Sequence, residues 1–224
     1  MKFKNIVSQM ISLDQFKIME AYFELVEAEN AKYNLTGFQG DALWENAIYQ
    51  SIVGLDKLVK DDSTLADIGA GAGFPSIPLL IIKPKLKLTI FEPMKKRVNF
   101  LNLVKEKLNL DFQINAQRIE LINLNENQRF DFVTARAVMP LKQLIEATIQ
   151  IAKISGEYIF FKGLNLDQEI EEAKNSIKLF EINPEIKKIN SESEMAITLF
   201  SYSKNKQVSN KYPREWSKIK NSPL

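Results

Sequence analysis

Phe16, Met19, Phe23 and Val26, with Tyr22 beside them, recur at helical spacing and predict a helix over residues 14–30, with Ser12 or Asp14 as its cap. The stretch Tyr33-Asn34-Leu35-Thr36-Gly37 reads as a loop, and a second helix follows over residues 41–58. From Thr64 the pattern changes to strand–helix alternation. Short apolar or alternating runs predict strands over 65–68, 87–91, 112–115, 130–135 and 157–162. Between them lie helices over 75–82, 94–108 and 141–154; Val98, Leu101, Val104 and Leu108 share one face of the second of these. An acidic helix over 167–179 precedes two late runs, 185–189 and 195–202, that read as an antiparallel hairpin. Repeated βα units imply an α/β fold: a mainly parallel sheet with helices on both faces and ligands beyond the carboxyl ends of the strands. The expected organisation is an N-terminal helical layer (1–60) packed on the core, a ligand-binding α/β domain (61–203) and a basic C-terminal tail (204–224).

The predicted turn after the first strand reads LADIGAGAGFPSIP, residues 65–78, with Gly69, Gly71 and Gly73 at alternate positions. A dinucleotide fingerprint would place its third glycine where Phe74 stands, and a P-loop would end in Gly-Lys-Ser/Thr, which Phe74-Pro75-Ser76 does not supply. An aliphatic strand ending in Asp67, then G-x-G-x-G, then a helix, matches the construction of S-adenosylmethionine (SAM) enzymes. Glycines there let backbone approach the ligand without a side-chain clash. Glu92 closes the next strand, where a carboxylate accepts both ribose hydroxyls; NAD enzymes share that feature, so alone it does not choose between cofactors.

Composition narrows the chemistry. The chain has 224 residues, 45% hydrophobic and 26% charged, and lacks both cysteine and histidine. Ser-His-Asp and Cys-His catalysis, disulfides and thiolate or imidazole metal sites are therefore excluded. No apolar run approaches the ~20 residues that span a bilayer, and the N-terminus lacks the pattern of a secretory signal. A cytoplasmic location without a metal is expected. The net charge is only +2, but the last 21 residues carry six basic side chains and one acid. Tyr212, Arg214 and Trp216 alternate there, the arrangement that stacks on unpaired bases and meets phosphate from one face of an extended segment. Lys95, Lys96 and Arg97 extend the basic surface.

Several stretches together resemble the RsmG (GidB) family, the 16S ribosomal RNA guanine-N7 methyltransferases. They are NLTGF (34–38), DIGAGAGFPSIP (67–78), KKRVNFL (95–101), QRIE (117–120), FDFVTARAV (130–138), FFKG (160–163), KYPREW (211–216) and the final Pro223-Leu224. The resemblance implies a Rossmann-like class I SAM-dependent methyltransferase with SAM contacts at Gly69, Phe74, Ile119, Glu120 and Arg136. It also implies an RNA substrate, a guanine in the decoding-region stem-loop of small-subunit rRNA, met as naked RNA or in a ribosomal particle. Gly71 and Gly73 would keep the loop open, and a backbone N–H of Ile119 or Glu120 would meet the adenine edge. Two stretches depart from the family pattern: ENAIYQSI (45–52) has Gln50 before Ser51 and no His, and SESEMAIT (191–198) has no Arg.

The residues suit that chemistry. Guanine N7 is a nucleophile that loses no proton, so in-line methyl transfer needs alignment and no general base. The positioning candidates are Arg136, Asn34 and Lys162. Arg136, at the end of the fourth strand, suits guanine O6, a phosphate or the SAM carboxylate; Asn34 suits the guanine edge or an Asx turn; Lys162 suits a phosphate. Lys162, Tyr212, Arg214 and Trp216 form the candidate RNA surface of a monomeric enzyme. The rival readings are methylation of another RNA position or a small molecule, a non-catalytic ribosome assembly factor that keeps a SAM pocket, and a dehydrogenase.

Overall fold

The computed structural model describes residues 1–193 and 196–224. Its centre is a seven-stranded sheet in the order β3-β2-β1-β4-β5-β7-β6. Strands β1 (Thr64–Ile68), β2 (Lys87–Phe91), β3 (Gln113–Asn115), β4 (Phe130–Arg136) and β5 (Ala152–Lys162) run parallel. Strand β7 (Ile197–Ser203) enters antiparallel between β5 and β6 (Glu185–Ile189), as the late hairpin predicts. Met195, expected to open that last strand, lies outside the described residues. The strand order reverses between β1 and β4, so their carboxyl ends open a crevice where ligands of such sheets bind.

One face of the sheet carries α5 (Ser76–Ile82) and α6 (Lys95–Leu108), and the N-terminal helices pack over them. Helix α1 (Lys2–Met10), which the sequence reading did not foresee, buries Phe3 and Val7 in this layer. Helix α2 (Leu13–Tyr33) begins with a reciprocal cap: Ser12 Oγ accepts from Gln15 N at 3.3 Å while Gln15 Oε1 accepts from Ser12 N at 3.0 Å. It ends at Asn34, whose left-handed φ of 51° closes the last turn. Trp44 is the hub of the layer, fully buried and stacked by Phe16 and Phe23 at 6.0 and 5.0 Å.

The expected helix over 41–58 is a composite. Helix α3 (Gly40–Leu43) widens into a π-helical turn, Trp44–Tyr49, before α4 (Gln50–Leu55). The wide turn sends Gln50 N to Glu45 O and Ala47 O, which leaves Asn46 O to a side chain from elsewhere. Hydrophobic spacing does not reveal such an insertion, because all of Trp44, Ala47, Ile48 and Tyr49 are buried.

The other face carries α7 (Leu141–Thr148), α8 (Leu166–Glu172) and α9 (Lys174–Leu179). The acidic helix is thus two pieces broken at Ala173. Helix α7 is shorter than expected and β5 longer, because Ala152 already pairs with Phe130 and a bulge absorbs the residues before Glu157. Ile149 and Ile151 are buried, so burial alone could not separate helix from strand there.

The C-terminal segment is docked on this face. Helix α10 (Trp216–Asn221) buries Ile219, and Tyr212 meets Phe180 edge-on at 5.1 Å. Gln150 Nε2 donates to Val208 O, Ser209 O and Tyr212 O at 3.0 to 3.3 Å. Arg214 clamps Glu146, which has no solvent exposure: Nε and Nη2 donate to the two carboxylate oxygens at 2.6 and 2.8 Å. Lys204 is buried too, donating to Ala152 O at 3.0 Å, and burial pulls its ammonium down to about 8. Arg214, expected as an RNA contact, has its guanidinium paired with this internal carboxylate. Arg214→Ala leaves Glu146 buried without its counter-charge and is expected to lower unfolding free energy by about 3 kcal/mol, measured by urea denaturation; a change under about 0.5 kcal/mol, typical of a surface site, would contradict the clamp.

Candidate active site

The glycine loop leaves β1 with three left-handed residues, Gly69 at φ 66°, Gly71 at 61° and Gly73 at 103°. Their surroundings differ. A Cβ on Gly73 would sit 2.5 Å from Ile77 Cγ1 and 2.9 Å from the Tyr22 hydroxyl, and one on Gly69 would sit 2.9 Å from Val138. Above Gly71 the nearest atoms belong to Arg97, at 3.8 Å and beyond. Gly69 and Gly73 thus serve the protein's own packing, whereas Gly71 leaves backbone open to a visitor.

The loop is pinned from four sides. Gly69 N donates to Phe91 O at 2.7 Å, and Tyr22 of α2 donates to Ala72 O at 2.7 Å. Ser76 N donates to Asp67 Oδ2 at 3.3 Å, and Gly71 N to Glu92 Oε2 at 3.1 Å. Phe74 turns inward, its ring 5.6 Å from that of Tyr22. Tyr22 therefore makes the N-terminal layer part of the site, a role its place in a helical stripe did not signal.

Glu92, only 1% exposed, directly follows β2 beside this loop. Its Oε1 accepts from Met94 N at 2.9 Å; Arg97 Nη1 lies over Oε2 at 3.5 Å. Asp67 beneath is fully buried, and its Oδ1 and Ser76 Oγ have no hydrogen-bond partner. Burial, reinforced by the charge of Glu92 and opposed by the hydrogen bond from Ser76 N, pushes the Asp67 carboxyl up to about 8. Across the crevice, a short helical turn over Ile119–Leu121 follows β3. Ile119 is buried with Ile68 and Phe91, and the first amides of such a turn have no partner within it. The carboxylate of Glu120 is almost fully buried; Arg118 Nε lies 3.1 Å from Oε1 but out of hydrogen-bond alignment, so that oxygen has no donor. Open backbone, a buried carboxylate and a donor-seeking oxygen around one crevice fit a nucleoside with hydroxyls and an exocyclic amine.

Arg136 stands at the carboxyl end of β4. Its Nη2 donates to Asn46 O, the carbonyl released by the π-helical turn, and to Gln50 Oε1 at 2.8 Å. Its guanidinium lies 5.4 Å over the Phe161 ring, seated against Gly54, where a Cβ would come within 2.5 Å of Phe161. Among the described residues Nη1 is buried without a hydrogen-bond partner, and no carboxylate forms an ion pair with Arg136. Burial lowers its pKa to about 10, so it remains cationic at neutral pH. Arg136, Phe38, Val138, Phe161 and Thr198 line a cleft of about 910 Å³ next to the glycine loop.

The other candidates lie differently. Lys162, its side chain 7% exposed, donates to Glu169 at 2.6 Å; Glu169 also accepts Leu141 N at 2.7 Å, at the start of α7. It lines the cleft, with its ammonium paired to Glu169 in the cleft wall. Asn34 caps α2 and does not line the cleft. Tyr212 and Trp216, both half-buried, pack against Phe180 and Arg118 in the docked C-terminal segment. The sequence reading named Gln50 only as a departure from the family; its service to Arg136 joins residues 86 positions apart.

Sheet order, glycine loop and carboxylate after β2 together define a class I SAM-dependent methyltransferase. Solved structures agree on the fold: a methyltransferase from Pyrococcus furiosus matches at TM-score 0.57 and 16% identity over 84% of this chain and 98% of its own. A SAM-dependent methyltransferase from Aquifex aeolicus matches at 0.55 and 16%, over 86% and 100%. The family model for rRNA small subunit methyltransferase G (GidB) matches residues 15–197, and this chain belongs to that family. The ribosomal RNA small subunit methyltransferase G of Mycoplasmopsis pulmonis is 46% identical over 92% of both chains. That of Acholeplasma laidlawii is 36% identical over 98% of this chain and 97% of its own.

The buried acid gives a signed pH dependence. Between about pH 4 and pH 8 the native Asp67 keeps a proton that the unfolded chain has released, so stability falls as pH rises through that window and levels off above it. Asp67→Asn is expected to flatten this slope, measured by urea unfolding from pH 5 to 9; an unchanged slope would contradict a protonated Asp67. Gly71→Val is expected to weaken SAM binding at least ~10-fold in calorimetry, an order set by loss of close approach, and unchanged affinity in a folded variant would contradict it.

Proposed function

We propose that this chain methylates N7 of a guanine in the decoding-region stem-loop of 16S rRNA, using SAM, as a cytoplasmic enzyme. The observation that carries the reading is Arg136: a buried guanidinium in the wall of a cleft beside a SAM-type glycine loop, in a chain matched along nearly its whole length by rRNA small subunit methyltransferases G. SAM supplies, when bound, a methyl group made electrophilic by its sulfonium. Glu92 is assigned the ribose hydroxyls, Gly71 the close backbone contact, and the 119–120 turn the adenine edge. Arg136 positions an oxygen of the entering guanine, or the carboxylate of SAM, at the mouth of the cleft.

The absence of His and Cys from the sequence accords with this chemistry. Guanine N7 offers an in-plane lone pair and has no proton to lose, so the residues are required to align and to exclude water. No metal enters the proposal, and among the described residues no group of three or more His, Cys, Asp or Glu is arranged to hold one. Among them also, no helix is long and apolar enough to cross a membrane.

Incubation with SAM and small-subunit rRNA or 30S particles, followed by nuclease digestion and mass spectrometry, is expected to yield 7-methylguanosine. Arg136→Ala is expected to lower kcat/KM roughly 100-fold, the order for removing one positioned donor. RNA binding without methyl transfer to any rRNA form would instead favour an assembly factor.

A further inference from the structure

The turn that carries Ile119 and Glu120 is too short to hold itself. Its own backbone bonds are Leu121 N to Arg118 O at 3.0 Å and Ile122 N to Ile119 O at 3.2 Å, and one isolated helical turn is unstable in water. Ile119 anchors its inner side in the buried cluster that also holds Ile68 and Phe91, and the turn packs on α7. On the outer side Arg118 reaches in two directions. Its guanidinium carbon lies 5.1 Å over the ring of Trp216, and its Nε lies 3.1 Å from Glu120 Oε1.

Trp216 is a fixed surface for that contact. It opens α10, whose Ile219 is buried on α7, and it follows Arg214 by two residues, which is clamped bidentate to Glu146 of the same helix. A continuous path therefore runs from α7 through Glu146, Arg214 and Trp216 to Arg118, and from there to Glu120 on the crevice.

We propose that the C-terminal segment is a strut of the cofactor pocket: Trp216, acting through Arg118, is a positioning residue that holds the 118–120 turn where it meets the adenine of SAM. This rests on the assignment of that turn to adenine made above. The basic, aromatic end of the chain thereby sets affinity for the methyl donor in place of gripping RNA. A guanidinium that meets both an indole face and a carboxylate has fewer alternatives, so both contacts order the same three residues.

The test is SAM calorimetry and steady-state kinetics on the full chain, for wild type, Trp216→Ala, Trp216→Phe, Arg118→Gln and the Ala/Gln double variant, with rRNA binding measured in parallel. Trp216→Ala and Arg118→Gln are each expected to raise the Kd and KM for SAM roughly 5- to 10-fold, the range of a partly desolvated cation–π contact. The double variant is expected to be no worse than the weaker single, because the two residues act through one contact. Trp216→Phe should restore most of the affinity, while kcat at saturating SAM and rRNA affinity stay near wild type. Should Trp216→Ala fail to fold, Arg118→Gln carries the test, since that side chain is half exposed. Unchanged SAM affinity in the folded variants, additive losses in the double variant, or loss of rRNA affinity with SAM affinity intact would each overturn the strut. A wild type that binds no SAM would overturn the pocket assignment itself, and the strut with it.

Discussion

A backbone that turns left-handed three times in five residues, and stays open above its middle glycine, is the constraint on which this molecule depends. Inside the loop the support is backbone, Gly73 N and Phe74 N donating to Ala70 O at 2.8 and 3.0 Å, because glycine supplies no side chain to pin it. The pins come from elsewhere: Phe91 O and Glu92 from the neighbouring strand, Asp67 from beneath, and the Tyr22 hydroxyl from the N-terminal layer. Gly73 is required because Ile77 and Tyr22 already fill the space a side chain would take. Gly71 is different: the nearest atoms to a side chain placed there belong to Arg97, at 3.8 Å and beyond.

The same logic makes supports of the two ends of the chain. The N-terminal helices bring Tyr22 to the loop, and their π-helical turn releases Asn46 O to Arg136. The C-terminal segment is bound to α7 through a carboxylate with no exposure and ends against the turn on the opposite side of the crevice. Between them stands Arg136, satisfied on one nitrogen and vacant on the other. A buried cation with an unpaired donor is costly unless something anionic or oxygen-rich meets it, and Arg136 lines the cleft beside the glycine loop.

Much of this was legible along the chain. Strand–helix alternation, the glycine turn and Glu92 are local signals, read from spacing within a few residues, and the sheet follows from them. What stayed hidden depends on pairs distant in sequence. The six basic residues of the last segment look like an RNA arm until Glu146, 68 positions before Arg214, is found opposite it. Gln50 reads as a missing family residue until Arg136 reaches it. The π-helical turn leaves the hydrophobic pattern unchanged, and the break at Ala173 falls inside a continuous amphipathic stretch. Charge and periodicity report which residues are available for contact; only the fold reports which contacts are already taken.

Glu92 is the sharpest point of the account, since Arg97 lies over the carboxylate assigned to ribose. A crystal structure of the chain with S-adenosylhomocysteine addresses it directly. The account predicts both ribose hydroxyls within hydrogen-bond distance of Glu92, the Arg97 guanidinium displaced from Oε2, and the adenine edge against residues 119–120. A nucleoside bound elsewhere, or Arg97 still seated on Glu92 with the ligand present, would contradict it.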